Sequence, residues 1–135
     1  MTQLLVDANI EGHVKRLEAR MKSDYWKMFW DHLEITLLQF RDVGLSHDAV
    51  DAEVYHLCQK HAFYLLTNNR NEDRADSLEA MIRQRNTSAS LPIFTMSDAD
   101  RIFYGNEYAE RVVESLYDYL LKADTLAGAG RIYLP

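Results

Sequence analysis

Short apolar runs alternate along the chain with longer stretches whose apolar residues recur every three or four positions. Leu4 to Asp7 is an apolar run closed by an acid, which suits a parallel strand covered on both faces. After Asn9 the pattern turns helical as far as about Trp30, with Val14, Leu17 and Met21 as one inward stripe. Trp26, Phe29 and Trp30 form a second apolar cluster, and Lys22-Ser23-Asp24 marks a break. Ile35 to Phe40 reads as the second strand, and Arg41 to Ser46 as a turn. A helix follows from about Asp48 to His61, with Val50, Val54, Leu57 and Cys58 inward and Ser46 or His47 ahead of its start.

Phe63 to Leu66 is the third predicted strand, and the polar cluster Thr67-Asn68-Asn69-Arg70-Asn71 is a loop beyond its carboxyl end. A helix over 74–85, a linker over 86–90 and a fourth strand over 91–96 come next. Pro92 places that strand at an edge or marks its start. Ser97 caps a short helical turn, and an amphipathic helix spans 107–122. Arg131 to Leu134 forms a short last strand or a docked peptide. This order predicts an α/β fold of three layers, with a mostly parallel central sheet and flanking helices. Residues 1–124 make a single domain with a helical elaboration near 20–32, and 125–135 form a tail or the short final strand.

Composition narrows the chemistry. In 135 residues, 15 Lys and Arg face 21 Asp and Glu, a formal charge of −6 that disfavours a nonspecific nucleic-acid coat. It does not exclude a nuclease, which needs carboxylates more than a basic surface. The single Cys58 excludes an intrachain disulfide and a multi-cysteine zinc site, and its place on an apolar stripe reads as a buried thiol. His56 and His61 form no nucleophilic set with it, and His13, His32 and His47 show no metal-ligand spacing. No glycine-rich phosphate loop follows the first strand. The N-terminus lacks a signal-peptide pattern and no window reaches membrane-spanning length, so the expectation is a cytoplasmic protein without a membrane partner.

Polar residues just beyond parallel strands gather along one sheet edge, where open α/β folds place their sites. Asp7 ends the first strand and either serves such a site or accepts backbone N–H bonds as a turn or helix cap. Asn9 either adds an oxygen ligand or stabilises that turn. Asp51 lies in the first turn of the second major helix, bordering the face of Val54 and Cys58. It either approaches the same edge or serves as a charge-favoured helix start. Asp48 reads as a cap, and Glu53 points away. The Thr67-to-Asn71 loop, with Glu72 and Asp73 after it, either positions a metal-bound water or a phosphate, or satisfies its own backbone. Two or more carboxylates converging on an edge suit magnesium or manganese, which prefer oxygen ligands and promote phosphodiester hydrolysis.

Four segments together resemble the PIN-like family, in its compact branch of uncharacterised, toxin-like proteins. They are Leu4-Leu5-Val6-Asp7-Ala8-Asn9, Phe40 to Ser46, Asp51-Ala52-Glu53-Val54, and Tyr64 to Asn71. The resemblance covers about residues 3–96. It implies a magnesium- or manganese-dependent ribonuclease acting on RNA rather than DNA, and a protein partner that restrains it. The family's first-strand acid falls on Asp7 and its helix-opening acid on Asp51. Its acidic positions after the third strand fall on Asn69 and Asn71, which offer a neutral carbonyl where aspartate would supply charge. The implied roles are Asp7 as principal metal ligand, Asp51 as second ligand or water-positioning residue, and Asn69 completing or orienting the shell. Thr67, Asn9, Arg70, Asn71, Glu72 and Asp73 support the site or contact substrate, with Arg70 aimed at phosphate. The alternative is a catalytically inactive PIN-like interaction or regulatory module, in which Trp26, Trp30, Tyr104, Tyr108, Tyr117 and Tyr119 contribute to a homo-oligomer interface.

Overall fold

The computed structural model describes residues 1–69 and 77–135. The strands are β1 (Thr2–Val6), β2 (Ile35–Gln39), β3 (Tyr64–Thr67), β4 (Ile93–Met96) and β5 (Arg131–Leu134). The helices are α1 (Glu11–Met21), α2 (Lys27–Leu33), α3 (Asp51–His61), α4 (Leu78–Arg85) and α5 (Asn106–Leu121). They build an α/β fold around one five-stranded sheet in the order β2-β1-β3-β4-β5, every neighbouring pair parallel.

The uninterrupted apolar runs of the central strands follow from burial on both sides. Successive side chains on a strand point to opposite faces. Leu4 and Val6 of β1, Leu66 of β3 and Phe94 and Met96 of β4 pack with α1, α2 and α5. Leu5, Leu65 and Ile93 point the other way, into a second cluster with α3 and α4. Helices therefore sandwich the sheet, because both of its faces are apolar.

Several local expectations change. The break in the first helical stretch runs from Lys22 to Trp26 and separates α1 from α2. Helix α3 starts at Asp51, three residues later than expected, with no side-chain cap. Ser46 and Asp48 instead bond to each other in the preceding turn, where the Ser46 hydroxyl holds the Asp48 carboxyl below the usual carboxylate range. Val50, expected inward, is 47% exposed, since its extended backbone (φ −72°, ψ 153°) takes it off the helical stripe. Pro92 precedes β4, so its missing N–H falls outside the ladder and β4 is an internal strand, not an edge. The edges are β2 and β5. Residues 74–76 of the expected fourth helix lie outside the described residues, and the described helix opens where the Ser77 hydroxyl oxygen accepts the Ala80 N–H at 3.1 Å.

Most aromatics considered for an interface close the core instead. Trp26 stacks on Tyr117 at 5.4 Å between ring centroids, and the Trp26 indole N–H donates to Glu110 at 2.6 Å. The Tyr117 hydroxyl donates to the Met21 carbonyl at 2.8 Å and joins α5 to the end of α1. Trp26, Tyr108 and Tyr117 are buried, Trp30 and Tyr119 half-buried, and Tyr104 is 84% exposed. Among the described residues no helix is long and apolar enough to cross a membrane.

Phe94 is fully buried on an internal strand, against Tyr64 and Tyr119. Phe94→Ala removes the ring and leaves a cavity, and it should lower unfolding stability by about 3–5 kcal/mol in urea titration.

Candidate functional site

The strand order reverses direction at β1. The chain steps from β1 to β2 on one side, then crosses back to lay β3 on the other. The segment after β1 leads to α1 on one face of the sheet, while the next described helix after β3, α4, lies on the opposite face. Such a switch point leaves a crevice beyond the carboxyl ends of its two strands. Asp7 directly follows β1, and Thr67 and Asn69 end and follow β3. Asp51 reaches the crevice from the first turn of α3. A cleft of about 300 Å³ is lined there by Asp7, Asn9, His47, Asp48, Asp51 and Asn69 over an apolar floor that includes Phe40 and Leu65.

A continuous set of hydrogen bonds fixes the polar groups. Asp7 Oδ1 accepts the Asn9 backbone N–H at 3.2 Å, so Asp7 caps the 3₁₀ turn Ala8–Ile10. Its other oxygen, Oδ2, accepts the Thr67 hydroxyl at 2.6 Å. Thr67 is fully buried, and its oxygen in turn accepts the Asn69 backbone N–H at 3.0 Å. A hydroxyl has one proton to give, so donation to Asp7 leaves its lone pairs for Asn69. The Asn69 side-chain amide donates to Asp51 Oδ2 at 3.0 Å, and the same oxygen accepts the Leu78 N–H at 3.0 Å, at the start of α4. Asp7 thus caps its turn and Asp51 stands as an acid in the first turn of α3, while both carboxylates line the one cleft.

The remaining expectations divide. Asn9 lines the cleft and ties to Asp7 through its backbone N–H. Glu53 is exposed and turned away. Arg70, Asn71, Glu72 and Asp73 lie outside the described residues. His47 and Asp48, read from the sequence as a residue ahead of the helix start and a cap, both line the cleft. Their signal was their place in the strand-to-helix turn after β2, the same kind of position that singled out Asp7.

Arg131 is the residue the sequence reading missed. It opens β5, yet only 6% of its side chain is exposed. Its guanidinium donates to the Asn69 carbonyl at 2.7 Å, to the Thr95 hydroxyl at 2.7 Å, and to Glu79 Oε2 at 2.7 and 3.0 Å. Asn69 is therefore held from the edge strand across β4. A charged residue opening an otherwise apolar strand, just after Gly128 and Gly130, was the available signal.

The donor set bears on a metal. Among the described residues, no group of three or more His, Cys, Asp and Glu side chains lies close enough together to hold one. Asp7 and Asp51 line the cleft with donors already on both Asp7 oxygens and on Asp51 Oδ2, and magnesium is usually held by one or two carboxylates plus its own waters and substrate phosphates. Cys58 plays no part: burial pushes its thiol up to about 12. No family model, curated protein or solved structure matches the chain.

Arg131→Met should cost about 3 kcal/mol in urea titration, the lower end for breaking a buried ion pair, because Glu79 keeps partial contact with water. Because the Cys58 thiol deprotonates only near pH 12, iodoacetamide at pH 8 should leave native protein unmodified and label it fully after unfolding, as read by intact mass.

Proposed function

We propose that the cleft is a magnesium- or manganese-dependent site for hydrolysis of RNA phosphodiester bonds, in a protein of PIN-like type. One observation carries the reading. Asp7 after β1, Asp51 on α3 and Asn69 after β3, far apart in the chain, line one cleft at the switch point of the sheet. Asp7 and Asp51 would hold the ion. When bound, it would activate water and offset charge developing on the scissile phosphate.

The chain's own groups supply the positioning. Thr67, fully buried, donates its hydroxyl proton to Asp7 Oδ2 and so orients that carboxylate. Asn69 holds Asp51 in the same way from the other side, and Arg131 fixes the backbone of Asn69. The apolar floor of Phe40, Val54 and Leu65 limits water behind the carboxylates. Association with a restraining protein partner belongs to the same proposal.

A second reading, a catalytically inactive interaction module, is favoured by the bonding of Asp51. Its Oδ2 accepts two N–H donors, one of them the neutral amide that stands where an acid would add charge. Titration with magnesium and manganese, followed by two-dimensional NMR, separates the two. The hydrolase reading expects saturable shifts at Asp7, Asp51 and Asn69 that vanish in folded Asp7→Ala. It also expects metal-dependent RNA cleavage that falls by about 100-fold or more in Asp7→Ala and Asp51→Ala, since partners one step removed from a metal already contribute about 10–100-fold. Absence of localised shifts with either ion, in folded protein, would leave the interaction module.

A further inference from the structure

Beyond the carboxyl ends of β1 and β4, on the α1 and α5 side of the sheet, three arginines gather on aromatic rings. Arg16 of α1 lies 5.0 Å from the centre of the Phe103 ring. Arg101 and Arg111 lie 4.8 and 5.7 Å from the Tyr108 ring. Tyr108 is buried and anchored through its hydroxyl to the Pro135 carbonyl, so it is a fixed base for both guanidiniums. Tyr104 stands beside them 84% exposed, and Phe103 is 39% exposed. Arg101, Tyr104, Tyr108 and Arg111 line an open hollow of about 330 Å³. A neighbouring hollow of about 480 Å³, lined in part by Arg16, Ile102 and Asn106, adjoins it through the Arg101-Ile102 and Gly105-Asn106 links.

The charge pattern runs against the composition. Acids outnumber bases in the chain, and Arg20 and Arg131 each have a carboxylate at 2.9 and 2.7 Å. Among the described residues, Arg16, Arg101 and Arg111 form no ion pair with a carboxylate, and all three are exposed. Of the nearby acids, Asp100 is taken by His13 at 2.8 Å, exposed Asp98 lies close enough to act on Tyr108, and Glu107 lines the hollow with the arginines, which leaves three guanidiniums against two unengaged carboxylates. Planar guanidiniums match phosphate oxygens, and an exposed aromatic face accepts a nucleobase. An acidic peptide would use the arginines but leave the Tyr104 ring without a planar partner.

We propose that Arg16, Arg101, Arg111 and Tyr104 form a platform for single-stranded RNA that feeds the Asp7–Asp51 cleft. The inference rests on the hydrolase reading for the identity of the polymer and for its direction of travel. Both sites lie beyond the carboxyl ends of the strands: the Ala99–Phe103 turn follows β4, and α1 follows the turn that Asp7 caps. A strand held on the platform would follow that carboxyl edge to reach the crevice between β1 and β3.

The test is fluorescence anisotropy of a short labelled oligouridylate in EDTA, where hydrolysis is silent, measured across a salt series. Arg101→Ala/Arg111→Ala should weaken binding and flatten the log-log salt slope by about 1.4, or about 0.7 for each lost phosphate contact on a single strand. Tyr104→Ala should weaken binding by about 5- to 100-fold with the slope unchanged, the signature of a lost stack. Arg101→Lys/Arg111→Lys retains the charge and should retain the slope, which guards against a folding defect in the alanine pair. Absence of RNA binding by the parent protein, or binding indifferent to the alanine variants, overturns the platform. So does binding of an acidic peptide in place of RNA, which would assign the patch to a protein partner. Cleavage lost while patch-dependent binding persists counts against the cleft reading alone. Cleavage retained while binding ignores the patch counts against the platform alone.

Discussion

Burial of the central strands on both faces is the constraint on which the rest of this structure depends. Leu4, Leu5 and Val6 are each almost fully withdrawn from water, and their side chains alternate across the sheet. A strand apolar on both faces needs a helical layer on each side, so the chain must send helices to both. Placing β2 and β3 on opposite sides of β1 accomplishes this and parts the chain at their ends. The crevice that holds Asp7, Thr67 and Asn69 is thus a consequence of how the core is covered. Site and core share the same residues: Leu66 packs in the core one position before Thr67, and Val6 one position before Asp7.

The polar groups in that crevice show how a small domain keeps carboxylates in place at its edge. Each oxygen of Asp7 has a donor, and Asp51 Oδ2 has two. The bonds run in one sequence from Asn9 through Asp7, Thr67 and Asn69 to Asp51, joining the ends of β1 and β3 to the first turns of α3 and α4. Arg131 closes the arrangement from the far edge of the sheet, its own charge satisfied by Glu79. Preorganisation of this kind serves a reacting site, and it equally stabilises the fold. The hydrogen bonds establish the structural role of these carboxylates, and metal binding and RNA cleavage are the observables that bear on a reacting role.

Electrostatics divides the carboxyl edge into two regions. The cleft presents Asp7, Asp48 and Asp51, whereas the surface over α1 and the start of α5 presents arginines stacked on Phe103 and Tyr108. On the proposed reading, a basic surface and an acidic cleft in a chain of net charge −6 would divide the handling of a polyanion: attraction at one region, and at the other a cation to bring phosphate close. The aromatic residues divide in the same way. Trp26 and Tyr117 bind α2 to α5 inside the core, while Tyr104 is left with its face to solvent.

The sequence by itself determined the order and type of the elements, because periodicity and apolar runs are local properties. The first four strands, the break between α1 and α2, the buried thiol of Cys58 and the exposure of Glu53 were all legible in it, and the fifth strand was one of two readings left open for its segment. Asp7, Asp51, Thr67 and Asn69 were legible as candidates because each stands at or just beyond the end of a strand, or in the first turn of a helix after one. Tertiary structure decided what local pattern does not contain. It set the strand order, chose the strand-start over the edge reading of Pro92 by making β4 internal, and moved the start of α3 past Asp48. It also brought Arg131 across the sheet to Asn69, 62 positions away in the chain. Which donor meets which carboxylate depends on register between strands distant in sequence, and that register is settled only when both faces of the sheet are packed.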